Sequence, residues 1–184
     1  MSLVGQIRKD LTPEQLQNAR IIESQFYWAG LPAGIAAGAI ANAWHESRLN
    51  HLAHNKSGED SAGLFQLNVR GLGHGMSLAD RQDPVINTQR VIEEIKNRDL
   101  VSKWRDNPSV PFAAQLFAKE IERCAACGYQ GGDSELHRRS ATALEFFPMY
   151  VNYGFQWWMA PVGLTAGVLV ALGVYAYRRK SSRA

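Results

Sequence analysis

A glutamate and a glutamine in two separate motifs are the residues of this chain best suited to chemistry. Glu46 ends an apolar segment rich in small residues, and a glycine-led turn, Gly63-Leu64-Phe65-Gln66, follows further along the chain. A carboxyl group half-sheltered by apolar neighbours favours its neutral form and can donate a proton near neutral pH. Cleavage of a glycosidic bond needs such a general acid to protonate the leaving oxygen. Glu46 is therefore a candidate general acid.

The combination of Glu46-Ser47 with Gly63-Leu64-Phe65-Gln66 resembles the Glu-Ser…Gly-Leu-(Met/Phe)-Gln signature of soluble lytic transglycosylases, goose-type lysozymes and phage tail lysozymes. The similarity covers roughly residues 15–100 and is weaker over 110–147. It implies a mainly α, lysozyme-like helical domain with a small loop or β element. It also implies that Glu46 is the catalytic acid and base, and that the substrate is the MurNAc–GlcNAc β-1,4 bond of peptidoglycan.

The same resemblance assigns substrate-binding roles to three further residues. Ser47 is expected to orient the catalytic glutamate or to bond the substrate's acetamido group, and Gln66 and Asn68 are expected to line the sugar site. Goose-type lysozymes have an aspartate where this chain has Asn68, and a carboxamide cannot act as a base. We therefore expect a lytic transglycosylase, in which one glutamate works with the substrate's acetamido group and no water is consumed. Glu59 and Asp60 leave open the alternative of a hydrolytic lysozyme with two carboxylates.

Neither a metal nor an organic cofactor is expected, because this chemistry needs none. Cys124 and Cys127 are spaced to share one face of a helix, but a zinc site of this type usually needs two such pairs. A buried thiol pair, a disulfide and a redox pair stay open for these cysteines. His51 and His54 are expected to hydrogen-bond within a loop.

Helices must position these residues, and the sequence predicts five of them. Thr12-Pro13-Glu14-Gln15 is a capping-box start with proline at the first helical position, and Gly30-Leu31-Pro32 ends that helix. Small residues dominate the second helix, from about Ala33 to Arg48, which predicts close backbone contacts and a central place in the core. The other helices are predicted from Asp83-Pro84 onward, over about 111–125 and over about 134–150. Loops are predicted over 50–62 and 71–75, with a brief strand over 64–67.

Residues 157–177 contain no charged side chain. As a helix, this run of about 21 residues is roughly 31 Å long, which matches the hydrocarbon core of a bilayer. Aromatic residues typical of membrane interfaces lie at its ends and basic residues follow: Trp157, Trp158, Tyr175, Tyr177, Arg178, Arg179 and Lys180. We therefore predict a lytic domain over 1–150 and, over 151–184, a juncture, a transmembrane helix and a short basic tail.

The ends of the chain predict its location. The amino terminus has no apolar core like that of a secretory signal, and the positive-inside rule places the basic tail in the cytoplasm. We expect a single-pass protein of a virion membrane or a bacterial inner membrane, with its lytic domain facing the wall.

The net charge of +3 and the pI of 9.0 come largely from the tail, which has four basic residues in its last seven positions. The remainder is nearly neutral, which argues against a nucleic-acid partner. The expected partners are peptidoglycan strands, lipid through residues 157–177, and other virion proteins. Two rival functions are a virion membrane protein that kept the fold but only binds glycan or serves structurally, and a holin-like membrane disruptor. A single span beside a large globular domain argues against the second.

Overall fold

The computed structural model describes residues 11–122 and 132–146, without the side chains of 132–134. These residues lie in the first of the two units into which the chain divides, Met1–Pro148 and Met149–Ala184. The elements of the described ranges are α1 Pro13–Trp28, α2 Ala33–Ser47, β1 His54–Asn55, β2 Ser61–Ala62, β3 Leu67–Asn68, α3 Leu78–Gln82, α4 Pro84–Asn97, α5 Leu100–Arg105, α6 Val110–Glu120 and α7 Gly132–Phe146. The predicted mainly α fold with a small β element is confirmed.

Several predictions fall outside the described residues. These are the transmembrane helix over 157–177, the basic tail, the juncture after residue 150 and the arrangement of Cys124 and Cys127. Within the described ranges, every helix is too short or too polar to cross a bilayer.

Helix α1 begins as its sequence predicts. The Gln15 backbone N–H donates to Thr12 Oγ1 at 3.2 Å, and the Thr12 N–H donates to Gln15 Oε1 at 2.8 Å, which completes the capping box. The helix buries one face at helical spacing, formed by Asn18, Ala19, Ile22 and Phe26. This face packs on α2 and α4.

Helix α2 is the centre of the domain, as its small residues predict. Residues 34–43 are all buried, and α1, α6 and α7 pack around the helix. At Gly38 a Cβ atom would lie 2.9 Å from the backbone of Ala113 and Ala114, so α6 approaches α2 more closely there than any larger residue allows. Glu46 therefore stands at the end of a rigid, fully packed element.

The three strands form an antiparallel sheet in the order β1-β2-β3, with Ala62 opposite both His54 and Leu67. The predicted strand over 64–67 is wrong in position, because residues 64–66 belong to a turn and only Leu67 continues into β3. The physical reason is backbone handedness: Gly63 has φ +83° and Gln66 has φ +45°, which interrupt an extended chain.

The remaining helices agree with the prediction in part. Helix α4 starts after Asp83, whose carboxylate accepts from the N–H groups of Val85 and Ile86 at 2.8 and 2.9 Å. Helix α6 ends at Glu120, earlier than predicted, with a turn over residues 121–122. Helices α3 and α5 were not predicted, because five or six residues are too few to show a helical period.

Candidate active site

Glu46 lies in the last turn of α2, and its side chain is 24% exposed. The turn that follows has an uncommon backbone: Arg48 has φ +56° and Leu49 has φ +57°. Non-glycine residues in this left-handed region cost about 1–3 kcal/mol each and persist only where the surrounding structure holds them. Here α1 holds them, because Gln15 Nε2 donates to Arg48 O at 3.0 Å and Asn18 Nδ2 donates to Leu49 O at 2.8 Å. The chain direction directly after Glu46 is thus fixed by hydrogen bonds from another helix.

Ser47 connects the end of α2 to the glycine-led turn. Its buried hydroxyl lies 3.0 Å from Ala43 O and 2.8 Å from Leu64 O, and its single hydrogen can be donated to either carbonyl. The structure thus brings the two sequence motifs together. Within the described residues, the contacts of Ser47 are to backbone carbonyls, and its role toward substrate stays a prediction.

The glycine-led turn packs tightly against α3 and α4. A Cβ atom on Gly63 would lie 1.8 Å from Arg81 O and 2.2 Å from Asn87 Nδ2, so only glycine fits. The Asn87 side chain accepts from the Phe65 N–H at 3.1 Å and donates to Arg81 O at 2.6 Å. The buried Asn87 side chain therefore hydrogen-bonds both to the turn, at Phe65, and to α3, at Arg81.

Gln66 is half-buried at the end of the turn. Its Nε2 donates to Gly63 O at 3.0 Å and lies 3.4 Å from Ala53 O. The carboxamide is therefore oriented by the turn and the preceding loop. Its predicted contact with sugar stays a prediction.

Asn68 lies in β3 against a carboxylate. Its Nδ2 donates to Glu59 Oε2 at 2.5 Å, and its Oδ1 accepts from the Arg70 N–H at 2.6 Å. Of the two open candidates for a second carboxylate, Glu59 is thus the one beside Asn68.

Asp60 has a different set of partners. Its carboxylate lies 2.6 Å from His54 Nε2 and 3.3 Å from Arg81 Nη2. The hydrogen bond with His54 lowers the pKa of Asp60, and the positive charge of Arg81 lowers it further. Asp60 is therefore an ionised carboxylate that ties the loop to α3.

Of the two loop histidines, His54 hydrogen-bonds within the loop as predicted, whereas His51 bonds to the end of α3. His51 Nδ1 lies 2.8 Å from Gln82 O, and His54 bonds Asp60 as described. In the described part of the chain, histidine, cysteine and carboxylate side chains form no group of three that could hold a metal ion.

Arg139 on α7 joins Glu46 to two other acceptors. Its guanidinium donates to Glu46 Oε1 at 2.7 Å, to Asn42 Oδ1 at 2.6 Å and to Glu135 Oε1 at 2.9 Å. The Arg139 side chain is only 6% exposed. Hydrogen bonds between charged groups are roughly twice as strong as neutral ones. Glu46 is therefore held by a buried cation while part of its side chain stays open to solvent.

Glu122, directly after α6, is a second carboxyl group whose electrostatics are linked to Glu46. Its Oε1 atom is buried and has no hydrogen-bond partner among the described residues. Burial raises the pKa of Glu122 well above its usual range, the negative charge of Glu46 adds to the rise, and Arg139 opposes it. Burial therefore favours the protonated form of the Glu122 side chain.

Two neighbours of Arg139 complete the cluster. Burial raises the pKa of Glu135, but the hydrogen bond and charge of Arg139, with His45 and Arg138, bring it below its usual range. His45 lies 3.1 Å from Thr142 Oγ1 and 3.5 Å from Glu135 Oε1. Burial lowers the pKa of His45, and the charge of Arg139 lowers it further, so this imidazole is neutral near pH 7.

Sequence reasoning missed the residues that surround Glu46. Asn42 lies one helical turn before Glu46, so helical spacing alone could have placed both on one face. Arg139 is 93 positions further along the chain than Glu46, and no local sequence pattern indicates that this arginine contacts α2. Glu122 has no sequence signal either, because its burial arises from tertiary packing.

The arrangement is suited to holding and releasing a proton. It combines a partly exposed carboxylate with a buried cation, and the neighbouring Ser47 hydroxyl lies within hydrogen-bond distance of the turn that carries Gln66. General acid and base catalysis requires such a group with access to substrate.

Comparison with known proteins agrees with this description. A search of curated proteins and one of solved structures found no match. The family model described as phage tail lysozyme matches residues 17–150, which include Glu46, Ser47, Gln66 and Asn68 and extend past Arg139. Since the match covers more than half of the chain and the fold is mainly helical with a small sheet, the chain belongs to the phage tail lysozyme family.

Proposed function

We propose that this chain cleaves the MurNAc–GlcNAc β-1,4 bond of peptidoglycan, with Glu46 as the general acid. One observation carries the proposal: in a chain of the phage tail lysozyme family, Glu46 is partly exposed, is held by a buried arginine, and is joined through Ser47 to the turn bearing Gln66. A positioned acid of this kind contributes about 10²–10⁴-fold to a reaction rate.

The proposed reaction is that of a lytic transglycosylase. The Glu46 carboxyl gives its proton to the glycosidic oxygen, the bond from that oxygen to C1 of MurNAc breaks, and the GlcNAc side leaves as an alcohol. The resulting Glu46 carboxylate then takes the proton of the MurNAc 6-hydroxyl, whose oxygen bonds to C1. A 1,6-anhydro ring forms, the glutamate recovers its proton, and no water is consumed.

Two features of the site support this reaction over hydrolysis. Asn68 stands where goose-type lysozymes have an aspartate, and its carboxamide cannot activate water. Asp60 is paired with His54 and Arg81, so its carboxylate holds the loop to α3.

Hydrolysis is the second candidate, and one contact favours it. Glu59 lies 2.5 Å from the Asn68 side chain, so a carboxylate is present beside that position after all. Lysozymes that hydrolyse with two carboxyl groups use the second as a base or as a nucleophile.

Product chemistry distinguishes the two reactions. Purified peptidoglycan is digested with the full-length chain, and the soluble muropeptides are analysed by mass spectrometry. The proposal expects 1,6-anhydro-MurNAc ends; reducing MurNAc ends as the sole product would replace it with lysozyme activity. Glu59→Gln is the matched variant, because it removes the carboxylate next to Asn68 and should leave anhydro products unchanged.

The proposed setting is a phage particle or an infected cell, where a tethered enzyme would open the wall locally for genome entry or for lysis. The tether proposed is the uncharged run over 157–177, with the lytic domain on the wall side of the membrane.

A further inference from the structure

Arg81, on α3, is a buried cation that the proposed reaction does not use. Its side chain is 3% exposed. Its Nη1 atom donates to Asp60 O at 2.5 Å and to Leu67 O at 3.2 Å, and its Nη2 atom donates to Asp60 Oδ2 at 3.3 Å. The Nε atom is buried and meets no acceptor among the described residues. The guanidinium therefore directs its hydrogen bonds to Asp60 and Leu67.

These two acceptors lie directly beside the contact between Glu59 and Asn68. Asp60 follows Glu59 in the β1–β2 connection, and Leu67 precedes Asn68 as the first residue of β3. The Leu67 carbonyl belongs to the same planar peptide unit as the Asn68 backbone nitrogen, so a hydrogen bond to it restricts the backbone that carries Asn68. One guanidinium thus joins the chain on both sides of this contact.

The backbone around Arg81 leaves its side chain little freedom. Asp60 has φ +49°, a left-handed conformation that a non-glycine residue keeps only where its surroundings hold it. From the other side, a Cβ atom on Gly73 would lie 2.7 Å from Arg81 Cδ, and the Gly73 N–H donates to Asn68 O at 2.9 Å. The Arg81 side chain is therefore enclosed between the small sheet and the loop over residues 71–75.

Packing alone does not account for an arginine at this position. Apolar side chains often replace a buried ion pair without loss of stability, because taking both charges out of water costs free energy. The planar fork of donors on an arginine can reach two carbonyl groups and a carboxylate at once, which a lysine cannot match. Arg81 is therefore suited to fixing the position of one strand relative to its neighbour.

We propose that Arg81 is a positioning residue for glycan binding, which acts through Asn68 by holding β3 to the β1–β2 connection. Arg81 is too buried to touch a glycan itself. The inference rests on the proposed function in taking Asn68 to contact the sugar. It adds that the affinity contributed by Asn68 depends on the two carbonyl bonds of Arg81.

The test measures binding without cleavage. All chains are full-length and carry Glu46→Gln, and the Kd for soluble, uncrosslinked peptidoglycan strands is measured in detergent by titration calorimetry. Asn68→Ala should weaken binding about tenfold, which corresponds to one net hydrogen bond. Arg81→Met should weaken it by a similar factor. The combined variant should bind no more weakly than Asn68→Ala alone, because a residue that acts through Asn68 adds nothing once that side chain is gone.

Controls separate this role from a general loss of structure. Arg90→Gln removes a different bond from an arginine to a loop carbonyl, from Arg90 Nε to Leu72 O at 2.9 Å, and should leave Kd unchanged. Asp60→Asn weakens the ion pair but keeps both carbonyl acceptors, so it should change Kd less than Arg81→Met does. Each Arg81 variant keeps the Arg81 carbonyl that Asn87 Nδ2 bonds at 2.6 Å, so the glycine-led turn keeps this contact.

Arg81→Lys provides the test if Arg81→Met does not fold. It keeps a cation in the same space but not the fork of donors, so it should weaken binding by a smaller factor than the loss of Asn68. Its effect should also disappear in the Asn68→Ala background.

The outcomes separate this inference from the proposed function. Additive losses in the combined variant, or parent affinity in a folded Arg81 variant or in Asn68→Ala, would overturn the role of Arg81, even for a chain that releases anhydro-muropeptides. A chain that shows the expected pattern of Kd values but releases no muropeptides when Glu46 is restored would refute the proposed function and leave the role of Arg81 standing.

Discussion

Replacing Arg139 by glutamine is the perturbation whose cost the structure defines best. The arginine is 6% exposed and donates hydrogen bonds to Asn42, Glu46 and Glu135. At about 1.5–3 kcal/mol for each bond to a charged group, the three would amount to about 5–9 kcal/mol if they were independent. They share one cation, and water reaches Glu46, so the cost of breaking a buried pair, about 3–5 kcal/mol, is the better figure.

The assay is thermal unfolding of the full-length chain at pH 7, followed by circular dichroism. At about 2–4 °C per kcal/mol for a domain of this size, Arg139→Gln should lower Tm by about 6–20 °C. The matched control is Arg138→Gln, because Arg138 is the preceding residue, is 68% exposed and also pairs with Glu135. An exposed pair contributes about 0–1 kcal/mol, so this variant should lower Tm by about 4 °C at most.

The pH dependence of Tm tests the electrostatic part of the cost of Arg139→Gln. Arg139 contributes to the lowered pKa of Glu135 in the folded protein, so the stability from this pair is present above pH 4.5 and is lost as the pH falls through the folded pKa. The gap between parent and Arg139→Gln should therefore narrow below about pH 4.5. Equal Tm values for the Arg138 and Arg139 variants, or a gap that widens in acid, would refute the reasoning.

Three further predictions concern the turn, a titrating histidine and the membrane run. Gly63→Ala should destabilise the domain by about 4 kcal/mol or more in urea unfolding, because its Cβ would lie 1.8 Å from a backbone oxygen; Gly58→Ala, with a similar φ but open space, should cost about 1–2 kcal/mol, and equal costs would contradict the packing argument. Burial lowers the pKa of His45, so the contribution of the neutral imidazole to stability is present above pH 6.5 and is lost as the pH drops toward the folded pKa. His45→Gln should therefore reduce the fall in Tm over this pH range, and an unchanged slope of Tm against pH would contradict the prediction. The full-length chain should sediment with membranes through residues 157–177 and a chain ending at Tyr150 should not, so recovery of the full-length chain in the soluble fraction without detergent would contradict the anchor.

Local sequence signals predicted the elements that depend on neighbours along the chain. The capping box at Thr12, the small-residue helix α2 and the start of α4 at Asp83 are each determined by residues within one or two turns. The glycine-led turn was predicted only in part: Gly63 requires a backbone conformation that other residues avoid, but residues 64–66 were expected in a strand. Helices α3 and α5 are too short for any period to be visible.

The environment of Glu46 could not be predicted in this way. Its partner Arg139 comes from α7, and the raised pKa of Glu122 depends on burial that only the packed domain creates. Ser47 illustrates the intermediate case, because its position beside Glu46 was recognised while its hydrogen bond to Leu64 was not. Sequence motifs thus indicated Glu46 as the candidate acid, and tertiary contacts determine its electrostatics.

The central claim, that Glu46 is the proton donor, is tested most directly by Glu46→Gln. Glutamine keeps the shape, can still accept the hydrogen bond of Arg139 through its carbonyl oxygen, and leaves Arg139 paired with Glu135, so Tm should fall less than with Arg139→Gln while the rate of muropeptide release falls about 10²–10⁴-fold. Glu59→Gln is the control and should retain the parent rate. Release of muropeptides by folded Glu46→Gln at the parent rate, or a collapse in Glu59→Gln instead, would contradict the account.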